Sequence, residues 1–165
     1  IEPSIWTAYS NRLEFPWPED GHKIIMGPRS GMMWDSLKIG AGAQPIKTCF
    51  GWLLIYHGVD QQMAYRLGGM VADLQDPGRL LYRSPNPILS PETECEIGKK
   101  DECWVPNVVF TCGAVPAVDK EVLDENDEVL VYYGAADTNI CLATGTVGEL
   151  IPAEIRKRND IRIKV

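Results

Sequence analysis

The stretch Trp52-Leu53-Leu54-Ile55-Tyr56-His57-Gly58 has a counterpart further along the chain, Glu128-Val129-Leu130-Val131-Tyr132-Tyr133-Gly134-Ala135-Ala136-Asp137. Each is a short apolar strand that runs into aromatic or polar residues and then a glycine. Each follows a proline-containing segment, Gln44-Pro45-Ile46-Lys47-Thr48 in one case and Val105-Pro106-Asn107-Val108-Val109-Phe110-Thr111 in the other. A strand pair that returns after about 60–75 residues is the sequence form of a β-propeller blade. Propellers bring functional side chains to a central axis, and the two repeats deliver Lys38, His57 and Asp137.

Working outward, strands are expected over 4–10, 22–26, 45–48, 52–58, 63–72, 79–83, 105–112, 128–134 and 139–147, bounded by Gly, Pro and Asp clusters. Fifteen glycines and twelve prolines supply the turns of an all-β chain. The acidic run Asp124-Glu125-Asn126-Asp127 reads as a solvated hairpin tip. Helical spacing is confined to residues 147–157, where Pro152 suits a first turn and Ile151 and Ile155 share a face. A short C-terminal docking helix is therefore expected. The length suffices for two to three blades, whereas a closed propeller needs four or more. An open stack exposes unpaired strand edges, so the reading is of a piece of a longer protein or a processed chain.

Composition sets limits on function. The chain has 165 residues, 45% of them hydrophobic and 24% charged, which is ordinary for a globular domain. A net charge of −7 supplies no basic footprint for nucleic acid. No apolar run is long enough to span a bilayer as a helix, and the start does not read as a signal peptide. Five cysteines, Cys49, Cys95, Cys103, Cys112 and Cys141, include no C-x-x-C pair, which argues against zinc. Most sit on or beside expected strands as buried free thiols, and a reducing cytoplasm fits them best. Cys95 and Cys103 flank one loop and could pair.

Several residues could carry chemistry. Trp34-Asp35-Ser36-Leu37-Lys38-Ile39-Gly40-Ala41-Gly42 sets one lysine among glycines, where a backbone can approach a ligand and the ammonium can meet an anion. The alternative is a solvated surface lysine; the stretch is not a nucleotide-binding P-loop. His57 closes a buried strand and is either a hydrogen-bonded structural residue or a donor to phosphate or hydroxyl. Tyr65 and Arg66 are adjacent on a strand, so only one can face a shared site. Of the carboxylates Asp73, Asp76, Glu94, Glu96, Asp101, Glu102 and Asp137, most should be solvated. Asp137 stands out because the preceding Gly134-Ala135-Ala136 is too small to shield it.

In series, these motifs resemble glycoside hydrolase family 130, whose members are mainly β-mannoside phosphorylases. The resemblance runs through Trp34-Asp35, Lys38-Ile39-Gly40, Pro45-Ile46 with Thr48, Gly51–Val59, Tyr65-Arg66-Leu67-Gly68, Asp76-Pro77, Val105–Phe110 and Tyr132–Asp137. It implies a five-bladed propeller of which residues 1–165 are the C-terminal part, the N-terminal half lying outside this chain. It implies inverting attack of inorganic phosphate on a β-mannosidic bond to give α-mannose 1-phosphate, with phosphate as co-substrate and no cofactor or metal. By the same resemblance Lys38, His57 and Tyr65 contact phosphate and the bound mannose, and Asp137 binds mannose hydroxyls. The family's general acid and an arginine pair belong to the N-terminal half, so the chain alone is expected to be inactive. Glu102 is the fallback acid within it. The expected partners are a β-mannoside oligosaccharide, phosphate and the other half of the propeller, with a homo-oligomer also open; nucleic acid and membrane are not expected. A β-mannoside or related glycoside hydrolase and a non-catalytic sugar-binding propeller remain alternative readings.

Overall fold

The computed structural model describes residues 3–17, 19–99 and 102–158 and shows three antiparallel sheets in chain order. The first pairs β1 (Ile5–Ala8) with β2 (His22–Met26), the latter entered through a 3-10 turn at Glu19–Gly21. The second holds β3 (Lys38–Ala41), β4 (Ile46–Thr48), β5 (Gly51–Val59), β6 (Tyr65–Ala72) and β7 (Leu80–Arg83). The third is β8 (Val109–Pro116), β9 (Glu128–Ala135) and β10 (Asn139–Thr146), with β9 central. This all-β arrangement of successive sheets is that of two to three propeller blades.

The second sheet is the complete blade. β3 pairs with the far half of β5 and β4 with its near half, so the two act as one edge strand interrupted at residues 42–45. The interruption has a packing cause. The methyl of Thr111 in β8 occupies the space that a Cβ on Gly42 would need, and Gln44 Nε2 donates to the Ala114 carbonyl at 2.9 Å. The neighbouring blade thus keys into the gap.

Alternation places two cores on the two faces of this blade. Ile46, Leu53, Ile55, Leu67 and Val71 pack against Val109, Ala114, Val129, Val131 and Tyr133 of the third sheet. Ile39, Leu54, Tyr56 and Met70 on the opposite face meet Ile5 and Met26 of the first. Each fully buried aliphatic side chain in these seams contributes about 1.5–3 kcal/mol.

On the first-sheet side the seam has a polar centre. Asp35 is fully buried, and its Oδ2 accepts from Arg29 at 2.9 Å, Arg83 at 2.5 Å and the Tyr56 hydroxyl at 3.0 Å. Arg83 also reaches the Gly27 carbonyl, and Arg29 reaches the Ser84 carbonyl. The Trp34 ring lies across Gly58 and Gly68, where any Cβ would collide with it. Burial first, and then the carboxylate of Asp35, outweigh Arg83 and push the Tyr56 phenol up to about 12.

Three expectations are corrected. The C-terminal segment forms two single turns, α2 (Val147–Leu150) and α3 (Ala153–Arg156), instead of one helix. Pro152 forces Ile151 into an extended conformation, so the turn breaks there and Pro152 caps α3. Ile151 is nonetheless fully buried and Ile155 packs on the core. Asp127 is not a solvated tip residue: it is buried, bound by Lys120 at 2.7 and 2.9 Å, and accepts from the Asp124 amide. Of the cysteines only Cys49 is buried, while Cys95 and Cys112 are exposed. An unforeseen turn, α1 (Glu94–Ile97), lies between β7 and β8.

Candidate functional site

Strand register assembles the site. Across β3, β5 and β6, Lys38 lies opposite Val59 and Val59 opposite Tyr65; Gly40 lies opposite His57 and His57 opposite Leu67. Directly opposed residues share a sheet face, so Lys38, His57 and Tyr65 all project toward the third sheet. The Lys38 ammonium lies 4.9 Å from the centre of the Tyr65 ring, a cation–π distance. The His57 ring packs on Phe110 of β8 with centroids 4.4 Å apart, and Tyr65 flanks both at 6.3 and 6.2 Å. Arg66 faces the other way and pairs with Asp60 at 2.5 Å, as strand alternation requires.

Gly40 makes the His57 position available. An added Cβ there would stand 2.5 Å from Cε1 and 2.6 Å from Nε2 of the imidazole. Burial, reinforced by the nearby Lys38 charge, lowers the His57 pKa to about 4, so the ring is neutral at pH 7. Its Nδ1 is buried without a protein partner, which sets it apart from a hydrogen-bonded structural histidine.

Asp137 arrives from the third sheet by two backbone links. The Tyr65 amide donates to the Asn107 carbonyl at 2.9 Å, and the Ala136 amide donates to the Val108 carbonyl at 3.0 Å. These place the β9–β10 turn beside the start of β6. In that turn Ala136 and Asp137 are both left-handed, with φ of 46° and 50°, and Asn107 is left-handed at 58°. Three non-glycine residues in a costly conformation around one cavity is a pattern found where geometry serves function. The cavity is about 240 Å³, lined by Tyr65, Val105, Val108, Phe110 and Asp137. One carboxylate and one phenol stand over an aromatic and aliphatic floor, a lining suited to a sugar ring with an apolar face and hydroxyl edges.

Of the other carboxylates, Glu96 is the buried exception. Burial raises its pKa, but hydrogen bonds from Tyr133 (2.6 Å) and the Glu92 and Thr93 amides dominate and hold it at about 2. It is a structural clamp for α1. Glu102 lies outside the Tyr65–Asp137 cavity, exposed and 3.7 Å from Lys99, on a separate hollow with Cys95 and Cys103. Asp101 lies outside the described residues. No metal-binding cluster of His, Cys, Asp or Glu occurs among the described residues. Nor is any described helix long and apolar enough to cross a membrane. Phe110, the ring against which His57 rests, carries no role in the sequence reading, because its contact with His57 depends on how the two blades meet.

Comparisons with known proteins identify the family. The profile of glycoside hydrolase family 130, described as beta-1,4-mannooligosaccharide phosphorylase, matches residues 1–154. The chain is 50% identical over 141 residues to a beta-1,2-mannobiose phosphorylase of Thermoanaerobacter sp. (strain X514), covering 86% of this chain and 41% of that protein. It is 42% identical over 141 residues to a 1,2-beta-oligomannan phosphorylase of the same strain, with 86% and 42% covered. The chain thus spans less than half the length of these relatives. The solved beta-1,2-mannobiose phosphorylase of Listeria innocua, in complex with beta-1,2-mannobiose, superposes with a TM-score of 0.68 at 34% identity, covering 81% of this chain and 34% of that one. With its blades built as in that structure and its sequence matched almost from end to end, the chain belongs to glycoside hydrolase family 130.

Proposed function

We propose that this chain supplies one side of the sugar and phosphate site of an inverting β-mannoside phosphorylase. The observation that carries the reading is the convergence of Lys38, His57 and Tyr65 on one sheet face, with Asp137 in the cavity that Tyr65 lines. Lys38 gives the phosphate a cationic partner. The neutral His57 and the Tyr65 hydroxyl offer donors that add no further charge. Asp137 accepts from two mannose hydroxyls and fixes the ring on Phe110.

In this reading a phosphate oxygen attacks the anomeric carbon from the face opposite the leaving group. The bond to the leaving sugar oxygen breaks, and a general acid protonates that oxygen, giving α-mannose 1-phosphate. Phosphate takes the place that water and a base hold in an inverting hydrolase. Glu102 is displaced from the cavity, so we assign the general acid to the part of the relatives' length that this chain does not span. No cofactor is required beyond phosphate as co-substrate.

The test is the phosphate dependence of mannose 1-phosphate release from β-mannobiose in the full-length enzyme. Lys38→Ala should weaken phosphate use by about ten- to hundred-fold, the loss of one charge-assisted contact, with the mannoside requirement little changed. An unaltered phosphate dependence would remove Lys38 from the site.

A further inference from the structure

Asp35 stands behind the site, on the face of the blade opposite Lys38 and His57. Its side chain lies flat on β5 at Gly58, where an added Cβ would collide with the Asp35 Cβ, and its Oδ2 accepts from the Tyr56 hydroxyl at 3.0 Å. Tyr56 and Gly58 are the two chain neighbours of His57, so Asp35 brackets the histidine from the reverse face. It is tied to the lysine strand as well. The Asp35 carbonyl accepts from the Arg29 amide at 3.2 Å, and the Leu37 amide, one residue before Lys38, donates to the Val59 carbonyl at 2.9 Å. Lys38 is itself the first residue of an edge strand only four residues long, the place where pairing frays most readily. Arg29 at 2.9 Å and Arg83 at 2.5 Å hold the carboxylate in turn, both at Oδ2, while Oδ1 is buried without a hydrogen-bond partner among the described residues.

We propose that Asp35 is a positioning residue for the anion site: by clasping β5 on both sides of residue 57 and anchoring the entry to β3, it fixes where the Lys38 ammonium stands relative to the His57 ring. Asp35 touches neither phosphate nor sugar and acts through the strands that carry those two side chains. The proposal rests on the reading of Lys38 and His57 as phosphate partners. Charge and position predict opposite signs at this residue. The carboxylate is negative, so its removal would by charge alone favour a phosphate bound nearby. Loosened placement of Lys38 instead weakens phosphate binding, because a misplacement on the ångström scale is felt strongly at a site of this kind.

The experiment measures kcat and the KM values for phosphate and for β-mannobiose in the full-length enzyme. Asp35→Asn removes the charge and keeps the shape, its amide oxygen taking the Oδ2 position and its nitrogen the place where Oδ1 meets no donor. It should raise the phosphate KM by about ten-fold, with the mannoside KM moving less than about two-fold. Tyr56→Phe removes one bond of the clasp without changing any charge and should raise the phosphate KM by about three-fold; it carries the test alone if Asp35→Asn does not fold. Met70→Ala, a buried change in the same seam, should lower the melting temperature and leave the phosphate KM where it was. A phosphate KM unchanged or lowered in Asp35→Asn and unchanged in Tyr56→Phe, while Lys38→Ala raises it, would overturn the positioning role and leave the site reading intact. An equal rise in Met70→Ala would overturn it too, by reducing the effect to general stability. A flat response in Lys38→Ala would instead remove the site reading on which the proposal stands.

Discussion

The imidazole of His57 occupies the space in front of Gly40: a Cβ at residue 40 would lie 2.5 Å from Cε1, and Phe110 closes the opposite side of the ring at 4.4 Å. The absence of a side chain at residue 40 of β3 is therefore what lets a histidine on β5 reach the seam between two blades.

Gly40→Ala should expel the ring from this slot, because neither β3 nor Phe110 can give way cheaply. Overpacking of this kind costs about 1–3 kcal/mol. Thermal or urea unfolding measures the loss, and an imidazole nitrogen–proton correlation spectrum shows whether His57 has moved. An unshifted ring with unchanged stability would contradict the packing described.

The neutral state of His57 makes stability depend on pH. Its folded pKa of about 4 lies below the ordinary value of 6.5, because burial and then Lys38 disfavour the charged ring. Between those values the unfolded chain binds the extra proton and the folded one does not. Stability contributed by this residue is thus complete above pH 6.5 and is lost as pH falls toward 4, by about 2 kcal/mol once screening on its partly open side is included. In Lys38→Met the titration of His57, followed by nuclear magnetic resonance, should move upward while staying below 6.5, since burial persists.

Asp35→Ala should be the most damaging single change on the first-sheet side. It would leave Arg29 and Arg83 without their shared carboxylate in a buried setting and remove the acceptor of Tyr56. Breaking a buried ion pair from one side costs about 3–5 kcal/mol. Denaturant titration gives the value, and a loss under 1 kcal/mol would show that water reaches the cluster freely.

Asp137→Gly separates fold from binding. Residue 137 has a φ of 50°, which glycine adopts without strain, so stability should hold or rise by about 1 kcal/mol. Affinity for a β-mannoside should nevertheless drop by about ten- to hundred-fold with the carboxylate gone. Calorimetry on the full-length enzyme reads the second effect and thermal unfolding the first.

Much of the blade structure was legible because it is written locally. The near-continuous apolar run of Gly51–Val59 marks a strand buried on two faces and the alternation in Glu128–Ala135 one buried on a single face, and both observed strands lie within a residue of the expected spans. β3 was missed because Lys38-Ile39-Gly40-Ala41 carries one β-branched residue and two small ones; it is held by pairing with β5, a tertiary cause. β8 starts four residues later than expected because Asn107 turns left-handed after Pro106, a conformation that serves the Tyr65 contact and not the strand. Lys38, His57 and Tyr65 could be named singly, but their common face depends on register, which no one segment encodes. The Asp35 cluster was invisible for the same reason: Arg83 and Tyr56 come from strands far along the chain.

The interrupted edge strand at Gly42 has a consequence for the width of the cavity. Thr111 of the neighbouring blade rests in the notch, so the notch sets the angle at which the two blades diverge from each other. His57 and Phe110 meet across that wedge with ring centroids 4.4 Å apart, so their contact, and the cavity that Phe110 lines, follow from the blade angle. A residue outside the cavity can therefore widen or narrow it through the joinery of the scaffold while every side chain facing the cavity stays the same.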